Sequence, residues 1–265
     1  MILNDILSHK RKEIEELKRL TPLSKICELA AKDKGDRRSL KSCLSNQEKK
    51  LHLICELKRA SPSEGIIREH FEPETLAQDF ETSGASAISV LTEQRYFKGH
   101  SKTLLQIRPL TSIPLLRKDF IIDPYQIYET VLQGGDAFLV IAMLVSDTEL
   151  KQMLSIARKL KLDVLVETHT REELERALAA GSQIVGINNR DLKTLEIDRS
   201  VPEHLMRLIP KNIVTVIESG IESREEIDRY QSMGARCFLI GTALMKAANV
   251  KQKIRELSGQ ANGAL

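Results

Sequence analysis

From Leu51 onward the chain alternates short β-rich runs with longer amphipathic stretches, and it does so eight times. The strand candidates are Leu51–Lys58, Ala87–Leu91, Pro114–Lys118, Ala137–Ile141, Asp163–Glu167, Gln183–Asn188, Ile213–Glu218 and Cys237–Ile240. Helical patterns follow each in turn at Pro73–Ser83, Ser101–Ile107, Pro124–Gln133, Asp147–Leu160, Arg171–Ala180, Val201–Leu208, Ser223–Met233 and Ala243–Leu257. Gly84, Gly134, Gly181 and Gly234 stand where a left-handed residue stops a helix before the next strand. Strand and helix alternating through short connections require a parallel sheet. Eight units in about 210 residues match a closed (β/α)8 barrel rather than an open doubly wound sheet. No Gly-x-Gly-x-x-Gly follows the first strand, which argues against a dinucleotide fold. The expected class is α/β: a single (β/α)8 TIM barrel with an N-terminal helical extension.

That extension occupies residues 1–50, ahead of a barrel at 51–265, the two forming one domain overall. Leu3, Leu7, Lys10, Ile14, Leu17 and Leu20 fall at mostly helical spacing, which predicts an amphipathic helix over Leu3–Leu20. A second helix, Pro22–Lys32, follows Thr21 as its cap. Their expected role is to cover a barrel end.

Composition narrows the function classes. No run approaches the ~18–20 apolar residues of a membrane span, and no small-residue cleavage site follows an apolar segment near the start. Cys27, Cys43, Cys55 and Cys237 are scattered without a Cys-x-x-Cys, as in a reduced, cytoplasmic protein. A net charge of +3 spread over 40 basic and 37 acidic residues, with aromatics at 4%, gives no nucleic-acid surface.

In such a barrel the carboxyl ends of the strands meet at one mouth, and here those ends are polar. Strand one ends in Glu56 and Lys58, strand three in Lys118, strand five in Glu167, strand six in Asn188 and strand seven in Glu218. Side chains two apart share a face, so Leu165 with Glu167, Gly186 with Asn188 and Val216 with Glu218 point the same way. Alone, Glu56-x-Lys58 is equally compatible with a surface ion pair worth ~0–1 kcal/mol. Five strands agreeing would gather three carboxylates and two lysines in one partly dehydrated pocket, where unpaired charge costs about several kcal/mol. Such a gathering points to acid/base chemistry. Asp119 and Arg190 have the opposite parity and read as loop supports or as partners of each other.

Ser219-Gly220 follows strand seven, and Gly241-Thr242 follows strand eight directly before the last helix. Glycines let backbone N–H groups approach an anion, so these turns suit a phosphate. They are also the turns any barrel needs. His9, His52, His70, His100, His169 and His204 show no ligand spacing, so neither a metal nor a cofactor is expected.

Five segments together carry a family resemblance. Glu56-Leu-Lys58-Arg-Ala-Ser61-Pro62-Ser63, Ser89-Val-Leu-Thr-Glu93-Gln-Arg-Tyr-Phe97-Lys-Gly99, Arg117-Lys118-Asp119-Phe120-Ile-Ile-Asp, Gly186-Ile-Asn188-Asn-Arg190-Asp-Leu and Glu218-Ser219-Gly220-Ile occur in order along the chain. They resemble indole-3-glycerol phosphate synthase, as does the extension of about fifty residues. The resemblance implies an enzyme of tryptophan biosynthesis that converts 1-(2-carboxyphenylamino)-1-deoxyribulose 5-phosphate to indole-3-glycerol phosphate, CO₂ and water.

It further implies Lys118 as the acid in ring closure, Glu167 as the base, and Glu56 with Lys58 in the loss of water. Asn188 and Glu218 would hold hydroxyl and amine groups of the substrate. Phe97 and Phe120 would enclose its aromatic ring, with Arg190, Ser219 and Leu239 among the contacts and Ser61, Gly220, Gly241 and Thr242 near the phosphate. The extension would help to close the aromatic side of the site.

The partner expected is thus a phosphorylated small molecule, with no nucleic acid or membrane, and the chain is expected to be a monomer in which weak association with other pathway enzymes stays open. The competing readings are a Schiff-base aldolase using Lys58 or Lys118, a phosphoribosylanthranilate isomerase, and a non-catalytic phosphate-ligand binding protein. The isomerase is disfavoured by a first strand ending Glu-Leu-Lys.

Overall fold

A computed structural model describes residues 2–33 and 35–260; the outermost ends of the expected spans, residues 1 and 261–265, lie outside it. Three helices come first, α1 (Ile2–Leu20), α2 (Leu23–Lys32) and α3 (Leu40–Leu44). The strands are β1 (His52–Leu57), β2 (Ala87–Leu91), β3 (Leu115–Lys118), β4 (Ala137–Ile141), β5 (Asp163–Thr168), β6 (Ile184–Asn188), β7 (Val214–Glu218) and β8 (Cys237–Ile240). Among the described residues these eight close into one barrel, each parallel to both neighbours, with β8 paired back to β1 through His52↔Cys237 and Cys55↔Ile240.

Helices α4 (Pro73–Thr82), α5 (Lys102–Ile107), α6 (Pro124–Leu132), α7 (Asp147–Lys159), α8 (Arg171–Ala179), α9 (Val201–Leu205) and α10 (Arg224–Ser232) connect the strands. The final helical pattern is two helices, α11 (Thr242–Lys246) and α12 (Val250–Ser258). The break falls before Asn249, whose side chain accepts from the Gln252 N–H and starts α12 afresh. A two-strand hairpin, Ala60–Ser61 with Gly65–Ile66, folds the loop after β1 and was not foreseen. The four helix-stopping glycines all have positive φ, from 75° at Gly134 to 99° at Gly234.

Parity sorts the strand residues between two environments. Ile54, Ala87, Leu116, Leu139, Leu165, Ile184, Val216 and Leu239 fill the barrel axis. Their sequence neighbours Cys55, Ile88, Leu115, Val140, Val166, Val185, Ile217 and Phe238 face the helices. The axial core continues past the strands at both ends. Leu3 and Ile6 of α1 join it at one end, and Leu40 and Leu44 of α3 at the other.

Helix α3 had no periodic sequence signature, being about one turn long. It is held at the amino end of the barrel, where Asp163 at the start of β5 accepts from the Ser39 hydroxyl and the Lys41 N–H, each at 2.9 Å. Helix α1 runs as expected, but its buried face is Leu3, Ile6, Lys10 and Ile14, and Leu20 is exposed. Thr21 precedes the cap position of α2, which Pro22 occupies without a side-chain hydrogen bond. Pro124 at the first turn of α6 and the capping boxes of Ser146 with Glu149 and Ser223 with Glu226 start other helices sharply.

Leu40 is fully buried as a plug, so truncation should leave a cavity that the rigid strand ends cannot close. Leu40→Ala is expected to cost about 2–4 kcal/mol in denaturant unfolding, with turnover of the remaining folded enzyme near normal because the plug is remote from the mouth.

Candidate active site

The carboxyl ends of the strands open into a cleft of about 1230 Å³, its mouth included. Every site residue picked from the sequence lines it, from Glu56 and Lys58 on the first unit to Gly241 and Thr242 on the last. Each polar group follows an axial residue by two positions, as the pleat requires. Glu56 follows Ile54, Lys118 follows Leu116, Glu167 follows Leu165 and Glu218 follows Val216.

Lys118 is the hub. Its ammonium donates to Glu167 Oε2 and to Glu218 Oε2, both at 2.8 Å. Asn188 Nδ2 donates to Glu167 Oε1 at 2.9 Å and fixes that carboxylate from the other side. Glu56 stands slightly apart, 3.4 Å from Lys58 Nζ, and accepts from the Ser89 hydroxyl at 3.3 Å. Gly186 makes the arrangement possible, because a Cβ there would collide with the Glu218 carboxylate.

Lys118 serves both buried carboxylates at the same distance, so their other neighbours decide how each titrates. Burial by itself would lower the Lys118 pKa, but Glu167, Glu218 and Glu56 together hold it above its usual value. Burial would likewise raise Glu167, yet Lys118 and His169 keep it below the ordinary carboxylate range. Glu218 takes the opposite course: burial and the charges of Glu167 and Glu56 outweigh Lys118 and push it up to about 7. The site therefore holds one committed anion and one carboxyl poised to exchange a proton near neutrality.

Phe97 and Phe120 line the cleft as a tilted aromatic pair, with ring centroids 6.3 Å apart and planes inclined at 48°. Ile2, Leu3 and Ile6 of α1 complete this apolar lining with Leu91, Leu139, Ile141 and Leu239. Ser61, Ser219, Gly220, Gly241 and Thr242 supply the polar remainder, and α11 begins at Thr242 beside the cleft. Ser219 and Gly220 are both left-handed, at φ 66° and 70°. For Ser219 that conformation costs about 1–3 kcal/mol, and the Asn189 side chain holds it by donating to the Ser219 carbonyl at 2.9 Å.

Asp119 and Arg190 do not pair. Opposite parity turns Asp119 away from the axis and toward α1, where Lys10 lies 3.0 Å from it and Arg117 3.2 Å. Burial opposes its ionisation, but these two cations hold Asp119 down to about 2. Arg190 lines the cleft instead, anchored by donating to the Leu195 carbonyl at 2.7 Å. Its N–H also donates to Asn188 Oδ1 at 2.9 Å, so the loop after β6 orients Asn188.

Sequence reasoning missed His169. The histidines show no metal-ligand spacing, yet Glu167-x-His169 at a strand end is the same parity pattern as Glu56-x-Lys58. Its Nε2 lies 3.3 Å from Glu167 Oε1, and its Nδ1 3.1 Å from Glu173 Oε2.

The family model for indole-3-glycerol phosphate synthase matches residues 3–257. The chain is 43% identical over 261 residues to an indole-3-glycerol phosphate synthase of Caldanaerobacter subterraneus subsp. tengcongensis, covering 98% of this chain and 100% of the relative. It is also 43% identical to one from Dehalococcoides mccartyi, covering 97% of this chain and 100% of that one. Among solved structures, 3-hexulose-6-phosphate synthase from Salmonella typhimurium superposes with a TM-score of 0.63 at 15% identity, over 79% of this chain and 98% of that one. Thiamine phosphate pyrophosphorylase from Pyrococcus furiosus gives 0.58 at 18% identity, over 82% and 100%. At such identities the structural likeness speaks for the barrel alone.

The raised Glu218 has a thermodynamic signature. A carboxyl that shifts from 4.5 up to about 7 on folding binds its proton more tightly in the folded state. Its ionisation therefore erodes stability as pH climbs from 4.5 through 7, by an amount on the order of 1–3 kcal/mol. Glu218→Gln, which cannot ionise, should melt several degrees higher than the parent at pH 8, and the gap should close near pH 4. Calorimetry across that range checks both the sign and the window.

Proposed function

The chain belongs to the indole-3-glycerol phosphate synthase family, and from that premise we propose that Lys118 and Glu167 are the acid and base of its ring-forming reaction. The enzyme is a carboxy-lyase of tryptophan biosynthesis. It converts 1-(2-carboxyphenylamino)-1-deoxyribulose 5-phosphate, a phosphorylated small molecule, to indole-3-glycerol phosphate with release of CO₂ and water.

The observation that carries the assignment of roles is the placement of Lys118 between two carboxylates with opposed titration. An ammonium has three donors, and two are taken by Glu167 and Glu218. The third is available for the substrate's ketone oxygen. As the ring carbon bearing the carboxylate attacks that ketone, the new carbon–carbon bond leaves negative charge on oxygen, and Lys118 neutralises it by donating a proton. Departure of CO₂ leaves its bonding electrons to restore the benzene ring. The hydroxyl then leaves as water, with Glu56 and Lys58 at hand to protonate it. Glu167, the committed anion, takes the proton released as the five-membered ring becomes aromatic. Asn188 and Glu218 hold the substrate's hydroxyl and amine groups.

Binding divides along the lining. Phe97 and Phe120, with the α1 residues Leu3 and Ile6, enclose the aromatic ring, and Leu239 packs beneath it. Ser61, Ser219, Gly220, Gly241 and Thr242 receive the phosphate, with Arg190 contributing positive charge. Residues 1–50 act as a cover integral to the barrel of 51–265, since Leu3 and Leu40 belong to the same axial core as its strands. We also read the enzyme as a cytoplasmic monomer. One chain supplies every group of the mechanism, and among the described residues no helix is long and apolar enough to cross a membrane.

Purified protein with the substrate should develop indole fluorescence, unaffected by a metal chelator. Lys118→Ala should lower kcat about 10²–10⁴-fold while a product analogue still binds within a few fold by calorimetry. Normal turnover in that variant would remove Lys118 from the role of acid. Borohydride reduction with substrate present should leave no lysine adduct; a trapped adduct would establish Schiff-base chemistry instead.

A further inference from the structure

We propose that His169, as an imidazolium, is a positioning residue that holds the Glu167 carboxylate ionised and aimed at the substrate. This inference rests on Glu167 being the base.

His169 lies on the same pleat face as Glu167, just past the end of β5. Its ring spans two carboxylates, with Nε2 3.3 Å from Glu167 Oε1 and Nδ1 3.1 Å from Glu173 Oε2. Glu173 is placed independently of the ring. It lies in the first turn of α8, whose cap Thr170 accepts from its N–H, and its carboxylate accepts from the His169 N–H at 2.8 Å. The same carboxylate thus fixes backbone and ring together. A neutral ring donating from Nδ1 would turn its Nε2 lone pair toward the Glu167 carboxylate 3.3 Å away, a repulsion that the imidazolium replaces with attraction.

Charge bookkeeping agrees with that protonation state. Glu56, Glu167 and Glu218 share Lys58 and Lys118 at the mouth, and Glu173 adds a fourth acidic group on the far side of the ring, so acidic groups outnumber the two ammonium groups. His169 provides the third cation. Burial would lower its pKa, but Glu167 and Glu173 raise it to about 10. Asp191, on the loop after β6, also senses the ring, and its interaction with His169 has the same sign.

The consequence concerns the moment at which Lys118 gives up its proton. Glu167 then loses its neighbouring charge, and an isolated buried carboxylate would draw a proton to itself. A permanent imidazolium at Oε1, beside the Asn188 amide, keeps Glu167 ionised through that step. Because Nε2 is close to Oε1 but poorly aligned for a hydrogen bond, the contribution is charge and orientation rather than proton relay.

The ring can be observed directly. In wild-type enzyme labelled with ¹⁵N-histidine, the His169 resonances should report both nitrogens protonated at pH 8; a neutral ring at that pH overturns the proposal. His169→Gln keeps a donor but removes the charge. Its kcat should fall about tenfold with KM nearly unchanged, and the acidic limb of the kcat profile should move up by about one pH unit as Glu167 becomes easier to protonate. His169→Lys should recover part of both effects. A His169→Gln profile that superposes on wild type refutes the role. Glu167→Gln separates this failure from failure of the underlying reading: if that variant turns over normally, Glu167 is not the base, whatever His169 does.

Discussion

The pleat of a closed parallel barrel sends every second side chain of each strand to the axis, and all strands enter from the same end. The apolar residues at the axis therefore make a core, and the next inward position on each strand must lie at one rim. Ile54 leads to Glu56, Leu116 to Lys118, Leu165 to Glu167 and Val216 to Glu218. The groups that carry the chemistry sit on the barrel strands, the most rigid part of the molecule, which is how charges are held at 2.8 Å in a buried setting.

Holding them there is costly. Three carboxylates with Lys118 and Lys58 are removed from much of the water that would solvate them, and the imbalance appears as opposed titration of Glu167 and Glu218. The fold tolerates the cluster because the axial core extends well beyond the strands, from Leu3 and Ile6 of α1 to Leu40 and Leu44 of α3. Lys10 binds the cover to the catalytic strand, since its buried ammonium meets Asp119, the residue next to Lys118. The N-terminal helix thus contributes lining, core and a charged tether at once.

Much of this was legible beforehand. Eight alternations gave the barrel, glycines gave the helix ends, and parity gave the rim residues one strand at a time. Misreadings arose where a local rule met a long-range partner. Shared parity and opposite charge leave Asp119 and Arg190 open as loop supports or as a pair; Arg190 supports its loop, but Asp119 belongs to Lys10, over a hundred residues earlier in the chain. Helix α3 escaped notice because one turn has no measurable period. His169 has no metal-ligand spacing to mark it; the pattern that does is Glu-x-His at a strand end.

What the sequence determined by itself is which residues face inward and which strand ends are polar, because alternation is a property of the backbone and needs no partner. Only the tertiary structure decided who shares a proton with whom. Lys118 lies 49 residues from Glu167 and 100 from Glu218 along the chain, so their separation in space depends on barrel closure and stagger. Lys118 lies 2.8 Å from both carboxylates, so the neighbours that closure brings to each, His169 to Glu167 and Glu56 to Glu218, decide which one keeps its charge in a dehydrated site.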